Sequence, residues 1–70
     1  MTEPVYRITE IVGSSNEGVD QAIRSALERA QQTLRNVDWF EVTEIRGGLF
    51  SGPNPTLQVT MKIGFRLEAP

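Results

Sequence analysis

Four side chains in this 70-residue chain have types that suit the binding of a ligand: Trp39, Gln58, Arg46 and Arg66. Trp39 is the only tryptophan, and an indole offers a flat aromatic surface on which another ring can stack. The carboxamide of Gln58 presents a donor and an acceptor side by side, which matches the edge of a heterocycle that contains an amide or an imide. The two arginines suit phosphate, because a guanidinium group forms bidentate hydrogen bonds with it.

Each of these residues also has an ordinary structural interpretation. A lone tryptophan in a small domain usually belongs to the core, and polar residues on a strand are usually solvated. The sequence "RGG" that begins at Arg46 is typical of RNA-binding repeats, but one copy in an acidic chain is a weak signal. Residue types alone therefore leave the structural and the functional interpretation open.

The composition excludes most catalytic and metal chemistry. The chain contains no cysteine and no histidine, which removes disulfides, the commonest zinc ligands and the usual general base. A calcium site is not indicated either, because the sequence contains no run of alternating acidic residues. Glu41 and Glu44 would lie on opposite faces of a regular strand, so they would not form an acid–base pair. We therefore expect neither catalytic residues nor a metal site.

Charge and hydropathy also narrow the range of partners. The formal net charge is -2 and the pI is about 4.9, whereas nucleic-acid-binding proteins usually carry a basic excess. The first residues form no apolar stretch of signal-peptide length, and no segment approaches transmembrane length. We therefore expect a protein with no nucleic-acid and no membrane partner. We also expect it to be cytoplasmic, since a chain without cysteine is compatible with a reducing cytosol.

The short chain indicates self-association. A single domain of this size buries only about 60% of the surface that its unfolded chain exposes, so its core is marginal. Small proteins usually compensate with disulfides, a metal or oligomerisation. Because the first two are not expected here, an oligomer is the predicted source of additional stability.

The hydrophobic pattern predicts an α+β domain with elements in the order β–α–β–β. The first strand extends from Val5 to Val12 and is ended by Gly13. Ser14 or Ser15 then caps a helix from Glu17 to about Arg35. Its apolar stripe consists of residues at three- and four-residue steps: Val19, Ala22, Ile23, Ala26, Leu27, Ala30 and Leu34.

The C-terminal half of the chain predicts an antiparallel hairpin. One strand extends from Trp39 to Gly47, and a second, with clear alternation, from Thr56 to Glu68. The segment between them, Gly48 to Pro55, is rich in turn-forming residues. With the first strand, these two strands make a three-stranded sheet.

One helix covers only one face of such a sheet, so the other face needs solvent or a partner. Phe40 and Val42 are expected to face the helix, which turns Trp39 toward the open face, where it indicates an interface or a ligand surface. Arg46 has the same parity as Phe40 and would point inward in a regular strand. A bulge near Thr43 and Glu44, or strong strand twist, would re-aim Arg46, and the sequence leaves both orientations open.

Three segments carry a resemblance to a known family: "YRITEIVGSSNEGVDQAI", "VDWFEVTEIRG" and "QVTMKIGFRLE". In their order and spacing they resemble the dodecins, a family of small flavin-binding proteins, over nearly the whole chain. The resemblance implies that residues 1–70 form one domain, a three-stranded antiparallel sheet wrapped around one helix. It also implies that this subunit assembles as a hollow homododecamer with flavins held between subunits.

The resemblance further implies a role for each of the four side chains. Trp39 would stack on the isoalloxazine ring of FMN or riboflavin, with two flavins lying back to back between symmetry-related indoles. Gln58 would hydrogen-bond the polar edge of the ring. Arg46 and Arg66 would contact phosphate groups, either of FMN or of a second ligand such as coenzyme A. The implied function is storage and sequestration of flavin, whose photoreactivity the indole quenches.

Two other functions stay open at this point. One is an oligomeric module whose main ligand is coenzyme A or another phosphorylated cofactor, with flavin secondary. The other is a flavin-dependent enzyme, against which the absence of an obvious acid or base near the ring argues. The chain departs from the dodecin pattern at Pro53 and Pro55 in the connection, and at Leu57, where an aromatic residue is expected.

Overall fold

The computed structural model describes residues 3–50 and 52–68. Its four elements, in chain order, are β1 (Tyr6–Ser15), α1 (Val19–Thr33), β2 (Val37–Gly48) and β3 (Thr56–Arg66). The three strands form one antiparallel sheet in the order β1–β3–β2, so the last strand is central. The predicted α+β class, the order of elements and the hairpin of the last two strands are confirmed.

The core lies between α1 and the face of β3 that points toward it. Val59, Met61 and Ile63 are fully buried there, and they alternate along the strand because successive side chains point to opposite faces. Ala22 packs on them from the helix and is also fully buried. Partly buried apolar residues surround this cluster: Ile11, Val19, Ile23, Ala26, Leu27, Leu34 and Val37.

Gly13 does not end β1, as predicted, because the strand continues to Ser15. Gly13 pairs with Val59 and therefore faces the helix. A Cβ atom at this position would overlap the backbone oxygen of Ala22 and would lie 2.8 Å from the Cβ of Ala26. Glycine is therefore needed here for the close approach of helix and strand.

The prediction that a serine caps the helix is also wrong. The N-cap residue of α1 is Gly18, and no side chain caps the helix. The hydroxyl of Ser15 instead accepts a hydrogen bond from the backbone N–H of Glu17, at 2.9 Å, in the turn before the helix. The helix ends at Thr33, two residues short of the predicted end.

Within the described ranges, no helix is long and apolar enough to cross a membrane.

The connection between β2 and β3 lies where the sequence placed it, although Gly48 belongs to β2. Leu49 and Phe50 are mostly exposed, and Ser51 lies outside the described residues. The third strand begins at Thr56, as predicted, and ends at Arg66, two residues before the predicted end.

Part of the sheet is uncovered even on the helix side. Phe40 and Val42 pair with buried residues of β3 and so face that side, as predicted. They nevertheless remain 44% and 37% exposed, because α1 packs against β1 and β3 and does not reach across β2. Ile45, further along the same strand, is 55% exposed. Within residues 3–50 and 52–68, an apolar strip on β2 therefore stays exposed.

Replacing Gly13 by alanine should lower the free energy of unfolding by about 1–3 kcal/mol, because the added methyl group must displace helix backbone. Gly47→Ala is the matched control, since a Cβ there would meet a side-chain atom of Leu57 at 3.4 Å, an ordinary contact. Thermal unfolding followed by circular dichroism measures both variants. Equal melting temperatures for the two would contradict the close packing of α1 on β1.

Candidate ligand-binding site

All four predicted site residues lie on the sheet face that the helix leaves open. Along β3, Gln58 and Arg66 alternate with the buried residues and so project away from the helix. Across the hairpin, Arg46 pairs with Gln58, and Trp39 pairs with Gly64, which lies on the same face. The predicted open-face position of Trp39 is therefore confirmed.

A β-bulge at Thr43 decides the orientation of Arg46. The register of β2 against β3 skips Thr43 between Val42 and Glu44. One extra residue inverts the alternation beyond it, so Arg46 projects from the open face instead of toward the helix. The hydroxyl of Thr43 donates a hydrogen bond to the backbone oxygen of Thr60, at 3.3 Å, which ties the bulge to the central strand.

The same bulge overturns the expectation for Glu41 and Glu44. Glu41 pairs with Lys62 and Glu44 with Thr60, so both carboxylates are on the open face. The prediction of opposite faces is wrong because it assumed a regular strand. In the described part of the chain, no group of three or more potential metal-ligating side chains comes together.

Trp39 lies against the backbone of the central strand. A Cβ atom on Gly64 would overlap the indole, so the ring occupies the space that a side chain would otherwise take. The ring of Tyr6 lies beside it, with centroids 6.4 Å apart and an interplanar angle of 57°. Trp39 remains 37% exposed. The backbone at Gly64 thus packs against one side of the indole, and part of the ring stays exposed to solvent.

Asp38 lies in this region, and it contacts Tyr6 and Arg66. The residue pattern did not predict either contact. Its Oδ2 atom accepts a hydrogen bond from the hydroxyl of Tyr6 at 3.3 Å and from Nη1 of Arg66 at 3.5 Å. A second register irregularity, between Val37 and Trp39, takes Asp38 out of the regular ladder. We call Tyr6, Asp38, Trp39 and Arg66 the indole end of the open face.

The turn before β2 is anchored to the indole end. Asn36 has a positive φ of 60°, in the left-handed region that asparagine tolerates better than most residues. Its backbone oxygen accepts the N–H of Arg66 at 2.9 Å, and its side-chain amide donates to the backbone oxygen of Arg66 at 3.2 Å. These two bonds fix the point at which the chain enters the strand that carries Trp39.

Arg46 and Gln58 form the second polar group, which we call the amide end. Nε of Arg46 donates a hydrogen bond of 2.8 Å to Oε1 of Gln58. Gln58 lies six residues from Gly64, the residue under the indole, which corresponds to about 20 Å along an extended strand. The structure therefore brings the four residues onto one face but separates them into two ends.

A pocket lies elsewhere on the subunit. It has a volume of about 280 Å³ and lies between β1 and α1. Its lining includes Gly13 and Arg29 and none of the four predicted site residues. Trp39, Arg46 and Arg66 are exposed on the open sheet face, and Gln58 is half-buried there.

Fold and site together define a class: a small β–α–β–β subunit whose open sheet face carries Trp39 at one end and Gln58 with Arg46 at the other. Residues 5–68 match the sequence profile of the family described as dodecin, and the chain belongs to the dodecin family. It is 52% identical over 64 residues to the dodecin of Thermus thermophilus, covering 91% of this chain and 93% of that protein.

Solved structures agree with this assignment. The dodecin from Streptomyces davaonensis is 59% identical and superposes with a TM-score of 0.89, covering 97% of this chain and 100% of that one. The dodecin from Streptomyces coelicolor is 54% identical, with a TM-score of 0.88 and full coverage of both chains. The resemblance stated from the sequence is confirmed, and so is the subunit fold that it implied, one helix against a three-stranded antiparallel sheet.

Gly64→Ala should displace the indole, because the new Cβ would occupy the position of the ring. Since Trp39 is the only tryptophan, fluorescence excited at the long-wavelength edge of the absorption band, where Tyr6 does not absorb, reports on this residue alone. We expect a red-shifted emission maximum, as the ring moves into water, with the far-ultraviolet circular dichroism unchanged. Gly47→Ala serves as the control, and an emission spectrum of Gly64→Ala identical to wild type would refute the seating of Trp39 on Gly64.

Proposed function

We propose that this protein stores flavins, FMN or riboflavin, in pairs between Trp39 side chains of symmetry-related subunits in a homododecamer. The observation that carries the proposal is the position of Trp39, which rests on Gly64 and is partly exposed on an open sheet face. A supported indole is a rigid wall for a planar ring, and stacking of this kind contributes about 1–3 kcal/mol per ring by analogy with nucleic-acid bases. Membership of the dodecin family supports the same function.

Assembly is part of the proposed function because one chain does not complete the site. The indole end and the amide end are about 20 Å apart along the strand. The side chain of Gln58, together with the part of a tricyclic flavin ring that extends beyond the indole, is too short to bridge this distance. Trp39 and Gln58 therefore reach the same flavin only from different subunits. A two-fold axis supplies each group twice, which suits two flavins stacked back to back. The exposed apolar residues of β2 give the subunits further surface to bury.

The proposed protection from light depends on contact between indole and flavin. An excited flavin accepts one electron from the indole of Trp39, and the reduced flavin then returns that electron. The cycle leaves both partners unchanged and dissipates the excitation, so it consumes no other reactant. The proposal includes no turnover, because the chain lacks the histidine and cysteine that most acid–base and nucleophilic catalysis uses.

The proposed role of the two arginines is to bind phosphate groups of FMN. Each is the cationic member of one end of the open face, in a chain of net charge -2. Both guanidinium groups keep N–H donors beyond those that contact Gln58 or Asp38.

The proposed location of the assembly is the cytoplasm.

Trp39→Ala should lower the affinity for riboflavin by more than about tenfold, because it removes both walls of each flavin pair at once. Trp39→Phe keeps an aromatic face and should retain part of the affinity. Fluorescence titration of riboflavin measures both variants, and native mass spectrometry of flavin-free protein should show a dodecamer for each. A loss of less than tenfold in an intact Trp39→Ala dodecamer would contradict the stacking role.

Arg66→Ala should lower the affinity for FMN while that for riboflavin stays nearly constant, because only FMN carries a phosphate group. The FMN-specific part should weaken with added salt in wild type, since salt screens exposed charges. Titrations of both flavins at two ionic strengths test this, with Arg24→Ala on the exposed side of α1 as a control of equal charge change. Equal losses for FMN and riboflavin would assign Arg66 to an interface instead.

A further inference from the structure

We infer that Arg46 is a positioning residue for Gln58, and that it sets which end of the carboxamide faces the flavin ring. This inference rests on the proposed function, because it concerns the ring-edge contact of Gln58. It goes beyond that function by giving Arg46 a role in binding flavins that carry no phosphate. The two arginines of the open face would then have different effects on ligand selectivity.

The geometry of the amide end supports this role. Arg46 and Gln58 lie directly opposite each other in the β2–β3 ladder, and Nε of Arg46 is 2.8 Å from Oε1 of Gln58. A guanidinium group has only donors, so the atom of Gln58 that it meets must be the oxygen. The carboxamide orientation is therefore determined by chemistry: Oε1 is directed to Arg46, and the Nε2 donor, together with the second lone pair of Oε1, is left for the ligand.

A fixed orientation matters because a free glutamine side chain has several rotamers and two amide orientations. Ordering such a side chain on ligand binding costs free energy, and an existing hydrogen bond reduces that cost. With Nε2 as the free donor, Gln58 is ready to meet an acceptor on the ring edge. Any flavin with this edge benefits, whether or not it carries a phosphate group.

Arg46 can hold Gln58 and bind phosphate at the same time. The hydrogen bond to Gln58 uses Nε–H, which leaves the four N–H groups of the two terminal nitrogens. Arg66 differs, because it uses a terminal nitrogen to contact Asp38 and has no contact with Gln58. Arg46 should therefore influence both riboflavin and FMN, and Arg66 only FMN.

A double-mutant cycle with riboflavin tests the inference, using Arg46→Ala, Gln58→Leu and the double variant. If Arg46 acts through Gln58, each single substitution should lower riboflavin affinity by about two- to tenfold, the range for one hydrogen bond. The double variant should then bind no more weakly than Gln58→Leu, because Arg46 has nothing left to position. Native mass spectrometry of all three variants, together with Arg24→Ala as the charge control, verifies the assembly.

A further variant separates the oxygen of Gln58 from its nitrogen. Gln58→Glu keeps oxygen acceptors for Arg46 and for the ring but has no N–H donor at neutral pH, so it should bind riboflavin more weakly than wild type. Riboflavin affinity equal to wild type in this variant would overturn the assignment of Nε2 to the ring.

The outcomes distinguish this inference from the proposed function. If losses in the cycle are additive, or if Arg46→Ala leaves riboflavin affinity unchanged, Arg46 does not position Gln58, while flavin storage stands. If wild-type protein binds no riboflavin, or if Trp39→Ala binds it normally, the proposed function itself is wrong and the inference falls with it.

Discussion

One helix of 15 residues cannot cover both faces of a three-stranded sheet, and most other features of this subunit follow from that constraint. The helix lies against β1 and β3, where Val59, Met61 and Ile63 make a small core. The far face and much of β2 stay uncovered. Apolar side chains that a larger protein would bury remain at the surface, and the proposed assembly would bury them between subunits.

Two glycines and one bulge turn this uncovered sheet into a candidate binding surface. Gly13 lets the helix approach β1, and Gly64 lets the indole of Trp39 lie against the central strand. The bulge at Thr43 inverts the second half of β2, which places Arg46 opposite Gln58. Each of these features involves a single residue. The two glycines allow close contacts, and the bulge determines which side chains share a face.

The charged groups of the open face are held by weak contacts. The contacts of Arg46 with Gln58 and of Arg66 with Asp38 are on the exposed surface, where such interactions contribute at most about 1 kcal/mol to stability. Their importance therefore lies in orientation. A side chain that already has the required rotamer loses less entropy when a ligand binds, so under the proposed function these weak bonds would affect affinity and selectivity more than the stability of the fold.

The sequence alone determined the order of elements, the hairpin, the apolar stripe of the helix and the open-face position of Trp39, because these follow from local periodicity. It also identified the family, through motifs spread along nearly the whole chain. Only the tertiary structure decided the interior role of Gly13, the shared face of Glu41 and Glu44, and the contact of Arg46 with Gln58. These depend on how strands and helix approach each other, and a one-residue bulge inverts every orientation beyond it without a clear signal in the residue pattern.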